Sequence, residues 1–187
     1  MLMPMRAVEL VFIVGWAVFW LYWLAAAFSM KRGRVPWSRD LRIRAILIVV
    51  VVVLVRTGVL RGHTGLNTDP WRAAAGLVLF FLGLGFAVWA RVHIGRNWGT
   101  PMTQKDDPEL VTSGPYRYVR HPIYSGILVA GIGTAVALNW LWLIAVVLAG
   151  LYFIYGATVE ERFLTEQFPD DYPAYKRSTK MLVPFVL

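Results

Sequence analysis

Cysteine is absent from the 187-residue chain. Its absence excludes disulfides, thiolate-held metals and a cysteine nucleophile. Charge is scarce as well. Only 16% of residues are Asp, Glu, Lys or Arg, where a soluble domain carries about a quarter. Acids are the rarer sign, 11 against 19 basic residues. No internal repeat or low-complexity tract is present. Asp106, Asp107 and Glu109 have no histidine neighbours and poor spacing for a metal site. Gly83-x-Gly85 lacks the strand–helix unit that a dinucleotide fingerprint requires. The first apolar run lacks a secretory cleavage signature, so it reads as a retained helix.

Apolar residues fill the space that charge leaves. They make up 58% of the chain, and mean hydropathy is +0.56. Runs of about twenty apolar residues mark an integral membrane protein. The run Ile46 to Val55 is mostly β-branched and would read as a buried strand in water. Lipid leaves an open strand's backbone unpaired, so it reads as a helix. The expected fold is an all-α integral membrane helical bundle forming one domain, residues 1–187. Five transmembrane helices are expected, near 8–29, from 45 past 55, near 71–93, 122–138 and 140–159. Three spans occupy residues 1–94. Residues 95–187 hold a C-terminal helical hairpin and a cytoplasmic amphipathic tail. Gly76, Gly83 and Gly85 are expected to allow close helix approach.

The basic residues sit between spans. Lys31, Arg32, Arg34, Arg39, Arg42 and Arg44 face one acid, Asp40, which marks a cytoplasmic loop. The N-terminus is then outside and the C-terminus cytoplasmic. Arg56 and Arg61 snorkel to the far interface, and His63 is a structural residue of an outer loop. The net charge of +8 thus reflects membrane topology, and nucleic acid is not an expected partner.

Two polar clusters flank the last hairpin. One is Leu110-Val-Thr-Ser-Gly-Pro-Tyr-Arg-Tyr-Val-Arg-His-Pro-Ile-Tyr-Ser-Gly126. The other is Glu160-Glu161 followed by Phe168, Tyr172, Tyr175 and Lys176. A hairpin returns the chain to one membrane face, so Arg120 and His121 are expected to approach Glu160 and Glu161. Ionisable groups at such a boundary suggest a polar ligand site. The bland alternatives are a lipid-phosphate anchor at Arg120-His121, a solvated helix end at the Glu pair, and packing roles for Tyr172 and Tyr175. His93 reads as an interfacial residue.

From about Asn97 onward, these motifs resemble the isoprenylcysteine carboxyl methyltransferase family, within the wider group that includes phospholipid N-methyltransferases. The resemblance implies a membrane methyltransferase that binds S-adenosylmethionine. It implies that Leu110 and Val111 offer backbone groups to the adenosine. It places Gly114, Tyr116, His121, Pro122 and Tyr124 along the cofactor, with Glu160 and Glu161 at its cationic end. Arg120 and Glu161 are the expected catalytic pair. The implied partners are a lipophilic small-molecule or lipid acceptor and the surrounding membrane lipids; oligomeric state is open. Two departures stand out. Pro108 occupies a place where many relatives carry histidine, and Gly156-Ala-Thr-Val159 lacks an arginine that eukaryotic prenylcysteine members carry. Related tails also occur in NnrU-like proteins and in membrane sterol reductases. A non-enzymatic or redox-linked membrane role and a nicotinamide-dependent reductase are therefore the alternatives.

Overall fold

The computed structural model describes residues 5–27, 33–34, 69–98, 104–105 and 109–184, and single positions between 42 and 56. Its named α-helices are α1 (Met5–Ala27), α2 (Pro70–Ile94), α3 (Pro122–Ala137), α4 (Trp142–Gln167) and α5 (Asp171–Ser178). A two-residue strand, β1 (Gly33–Arg34), pairs antiparallel with β2 (Gln104–Lys105). Arg42, Ala45, Ile46, Val49, Val50, Val53 and Arg56 are each helical, in keeping with a helical second span. The rest of that span lies outside the described residues, as do Arg61, His63 and Pro108.

Three described helices are long and apolar enough to cross a membrane: α1, α2 and α4. α3 has only 16 residues, about 24 Å at 1.5 Å per residue. That is short of the roughly 30 Å hydrocarbon core, so α3 depends on its neighbours. Local signals set the helix ends. Asp69 caps α2 by accepting a hydrogen bond from the Trp71 amide at 2.9 Å, with Pro70 in the first turn. Pro122 opens α3, where a missing amide hydrogen is tolerated. Asn139 makes the turn into α4, its Oδ1 accepting from the Leu141 amide at 2.9 Å.

Small residues let α2 and α3 meet backbone to backbone. A Cβ at Gly83 would overlap the Ala130 nitrogen and stand 2.5 Å from the Gly126 carbonyl oxygen. One at Gly126 would stand 2.6 Å from the Gly83 carbonyl oxygen. Gly76 meets Gly133 and Ala137 in the same way. Gly85 corrects the sequence expectation, because nothing lies within 4 Å of its added Cβ. It sits two residues from Gly83, about 200° around the helix, and points away from the seam. α1 packs on this pair through Phe12 against Phe80 and through Trp16, whose indole N–H donates to Thr134 Oγ1 at 3.1 Å.

The fifth span also differs from expectation. α4 continues past Val159 to Gln167, so Glu160 and Glu161 lie inside a helix, not at its end. Helical spacing places these two adjacent carboxylates about 100° apart, which gives them different neighbours.

Candidate active site

The polar segment before α3 and the chain after α4 meet at the same end of the bundle. Val119 and Lys180 form a parallel bridge. The Arg120 amide donates to the Lys180 carbonyl at 2.8 Å, and the His121 amide to the Met181 carbonyl at 3.0 Å. The Ser125 hydroxyl donates to the Leu182 carbonyl. The Tyr175 hydroxyl donates to the Tyr116 carbonyl at 2.6 Å. The C-terminal segment therefore forms a clasp across the motif.

Beneath the clasp lies an ionic hub. Arg120 Nε donates to Glu161 Oε1 at 2.7 Å, both side chains being buried. Arg120 Nη1 donates to the carbonyls of Thr179 and Lys176. His121 Nε2 lies 3.3 Å from Glu161 Oε1, and its Nδ1 lies 3.6 Å from Glu160 Oε2. One imidazole thus stands between two carboxylates. Lys176 Nζ stands 2.8 Å from Glu161 Oε2 and forms an ion pair with it. Glu161 is 2% exposed and faces three potential cations, whereas Glu160 is 25% exposed. Glu160 Oε2 accepts from the Tyr124 hydroxyl at 3.1 Å. A charged group this deep persists only when its partners replace water. Burial pushes the phenols of Tyr116, Tyr172 and Tyr175 above the ordinary tyrosine range. All three are neutral at physiological pH.

An aromatic stack leads from the hub along α3 and α4. His121 and Tyr124 are parallel within 4°, and Tyr124 and Phe153 within 1°, their centroids 4.5 Å apart. Ala90, Trp98, Tyr116, Ile123, Tyr124, Ala157 and Leu182 form the apolar core around this stack, with Val111 partly buried against it. Pro122 is buried at the helix start. Leu110 is half-buried. Gly114 has φ +59°, and a Cβ there would stand 2.6 Å from the His93 ring. The loop can turn beside His93 only because residue 114 is glycine. His93 itself is exposed and lies 2.9 Å from Ser113 Oγ.

The expected meeting of Arg120 and His121 with Glu160 and Glu161 is therefore observed. Sequence reasoning gave Tyr172 and Tyr175 packing or interface roles. Tyr172 is fully buried, in keeping with a packing role, and the charged neighbours nearest it are Glu161 and Arg120. Sequence reasoning also missed Phe153 and Lys176's contact with Glu161. Phe153 sits two turns before Glu160 on α4, a spacing that signals a shared face.

The profile of the phospholipid methyltransferase family matches residues 71–171, more than half of the chain and all of the hairpin. The chain belongs to this family. Protein-S-isoprenylcysteine O-methyltransferase B of Arabidopsis thaliana is 32% identical over 65% of this chain and 64% of its own length. The nickel-cobalt-cadmium resistance protein NccN of Alcaligenes xylosoxydans xylosoxydans is 31% identical over 72% of this chain and 62% of its own. Methanethiol S-methyltransferase 1 of Bradyrhizobium diazoefficiens is 38% identical over 42% of this chain and 27% of its own. The chain thus spans about three-fifths of the length of the first relatives it matches. As a phospholipid methyltransferase family member, it carries the family's matched region on α2, the clasped motif, α3 and α4.

Proposed function

We propose that the chain is an S-adenosylmethionine-dependent methyltransferase acting in the membrane on a lipophilic acceptor. The observation that carries this reading is the Arg120–Glu161 contact at 2.7 Å. It joins residues 41 positions apart and gathers carboxylates, cations and aromatic faces into one cup. That donor set fits the cofactor. Its sulfonium and ammonium call for carboxylates and ring faces, and its carboxylate calls for a cation. Leu110, Val111, Gly114, Tyr116, His121, Pro122 and Tyr124 line its path in this reading, with Glu160 and Glu161 toward its cationic end. The cofactor, when bound, supplies an electrophilic methyl group.

The chain's residues supply alignment and dryness, which an in-line displacement needs most. Arg120 holds the hub rigid through two backbone carbonyls and Glu161. In this reading an apolar acceptor enters sideways from the lipid near the Tyr124–Phe153 stack, while the polar cofactor arrives from the cytoplasm. A carboxylate acceptor is already ionised. A thiol, amine or alcohol must lose a proton, and His121, braced between two carboxylates, is the group placed to take it. No arginine stands in Gly156-Ala-Thr-Val159, which favours an acceptor other than a prenylcysteine carboxylate. The N-terminus outside and C-terminus cytoplasmic complete the proposal, with five spans in the bacterial plasma membrane.

Membranes containing the protein, incubated with methyl-labelled S-adenosylmethionine, should yield a labelled lipophilic product. Arg120→Ala should lower the yield at least about a hundredfold, as expected for loss of a positioning group. No labelled product from wild-type membranes, together with no cofactor binding by calorimetry in detergent, would end this reading.

A further inference from the structure

The clasp has an outer face as well as the inner one that covers the hub. Two ties set the motif against the C-terminal segment. The Tyr175 hydroxyl reaches the Tyr116 carbonyl, and Val119 bridges Lys180 in parallel. Residues at and between those ties are brought side by side: Arg117 from the motif, Arg177 and Lys180 from the tail. All three are exposed. Arg117 lies 5.5 Å over the ring of its neighbour Tyr118. Among the described residues, no carboxylate stands within ion-pair distance of any of the three. The acid of α5, Asp171, is in its first turn, while Lys176 and Arg177 are in its last. Positive charge is thus gathered at the end of α5 that meets the motif.

Apolar surface lies beside this charge. Tyr118 is 52% exposed and Val183 47% exposed. The place of the patch says what covers it. Ser113 is hydrogen-bonded to His93 in the last turn of α2, a helix long and apolar enough to cross a membrane. Pro122 then opens α3. The chain from Arg117 to Pro122 spans at most about 18 Å, so the patch sits close to where the helices leave the hydrocarbon. Tyrosine is favoured at headgroup level, and basic residues there are drawn to anionic lipid. A soluble acidic protein would meet the charge but leave the apolar pair in water. A lipid surface takes both.

We propose that this outer face docks on anionic phospholipid headgroups, and that the contact holds the clasp shut. The inference goes beyond the methyltransferase reading and does not depend on it. The backbone that carries the cations also closes the hub. The Lys180 carbonyl accepts from the Arg120 amide, and the Met181 carbonyl from the His121 amide. Lipid drawn to the side chains therefore steadies the bonds beneath them.

Amide hydrogen exchange at Arg120 and His121 reads the clasp directly, because their N–H groups make its bonds. The full chain is placed in bilayers of phosphatidylcholine alone, or of equal parts phosphatidylcholine and phosphatidylglycerol. At low salt, exchange should be at least about tenfold slower in the anionic bilayer, as expected for several cations near a charged surface. High salt should abolish the difference. Arg117→Gln, Arg177→Gln and Lys180→Gln combined should remove the lipid effect and leave exchange in phosphatidylcholine at the wild-type rate. Faster exchange there would mean that the side chains hold the clasp without lipid, and would overturn the proposal. So would equal exchange of the wild type in both bilayers, or a lipid effect that survives in the combined variant. Inorganic phosphate or polyglutamate, added to phosphatidylcholine bilayers, should not reproduce the protection. Equal protection by either makes the partner a free anion or an acidic protein and also defeats the proposal. If the combined variant does not fold, the salt dependence of the wild type decides.

Discussion

At the scale of the residue, the hub separates two carboxylates that adjoin in sequence. Glu161 is enclosed by Arg120, His121 and Lys176, while Glu160 keeps partial exposure and takes the Tyr124 hydroxyl. Removing the guanidinium leaves a buried carboxylate short of its best partner. Arg120→Met should therefore destabilise the protein by about 3–5 kcal/mol, read as a lower melting temperature in detergent. Arg120→Lys should not restore it, because one ammonium cannot reach Glu161 and two backbone carbonyls at once. Glu160→Gln keeps an acceptor for Tyr124, so its melting temperature should match the wild type while its affinity for S-adenosylmethionine falls. Equal thermal losses at 120 and 160 would contradict this division. The Arg-His-Pro segment and the Glu pair were readable in the sequence because ionisable residues stand out in an apolar chain. The separate roles of the two glutamates were not, since they depend on how far α4 extends.

At the scale of the element, α2 and α3 are held by contact between backbones. Gly83→Ala drives a methyl group into the Ala130 nitrogen, so the helices must part. Gly85→Ala meets nothing and gains helix propensity of about 1 kcal/mol. Melting curves should show Gly83→Ala destabilised and Gly85→Ala unchanged or raised; the reverse order would refute the packing described. Helix existence was legible from apolar length. Which glycine faces the partner was not, because period alone does not say where the partner sits. The end of α4 was misjudged for a related reason. Charged residues after Val159 look like a boundary, yet Glu161 is buried in the hub and the helix continues to Gln167.

At the scale of the whole molecule, the proposed five-span topology makes a direct prediction. The chain has no cysteine, so single cysteines report position without background. Asn139→Cys should react with a membrane-impermeant maleimide from outside the cell. Ser113→Cys and Ser178→Cys, both at exposed positions, should react only after the membrane is opened. Labelling of 139 and 178 from the same side would break the hairpin. The five-span count came from apolar runs and the basic loop, and most of the second run lies outside the described residues.

The clasp carries a consequence for how the protein comes into being. Arg120 is gripped by carbonyls of residues 176, 179 and 180, which the ribosome makes some sixty residues later. While those residues remain in the exit tunnel, the helices can enter the bilayer but the hub has no roof. A nascent chain that lacks those residues has an open hub, so on the proposed reading its methyl transfer waits for them.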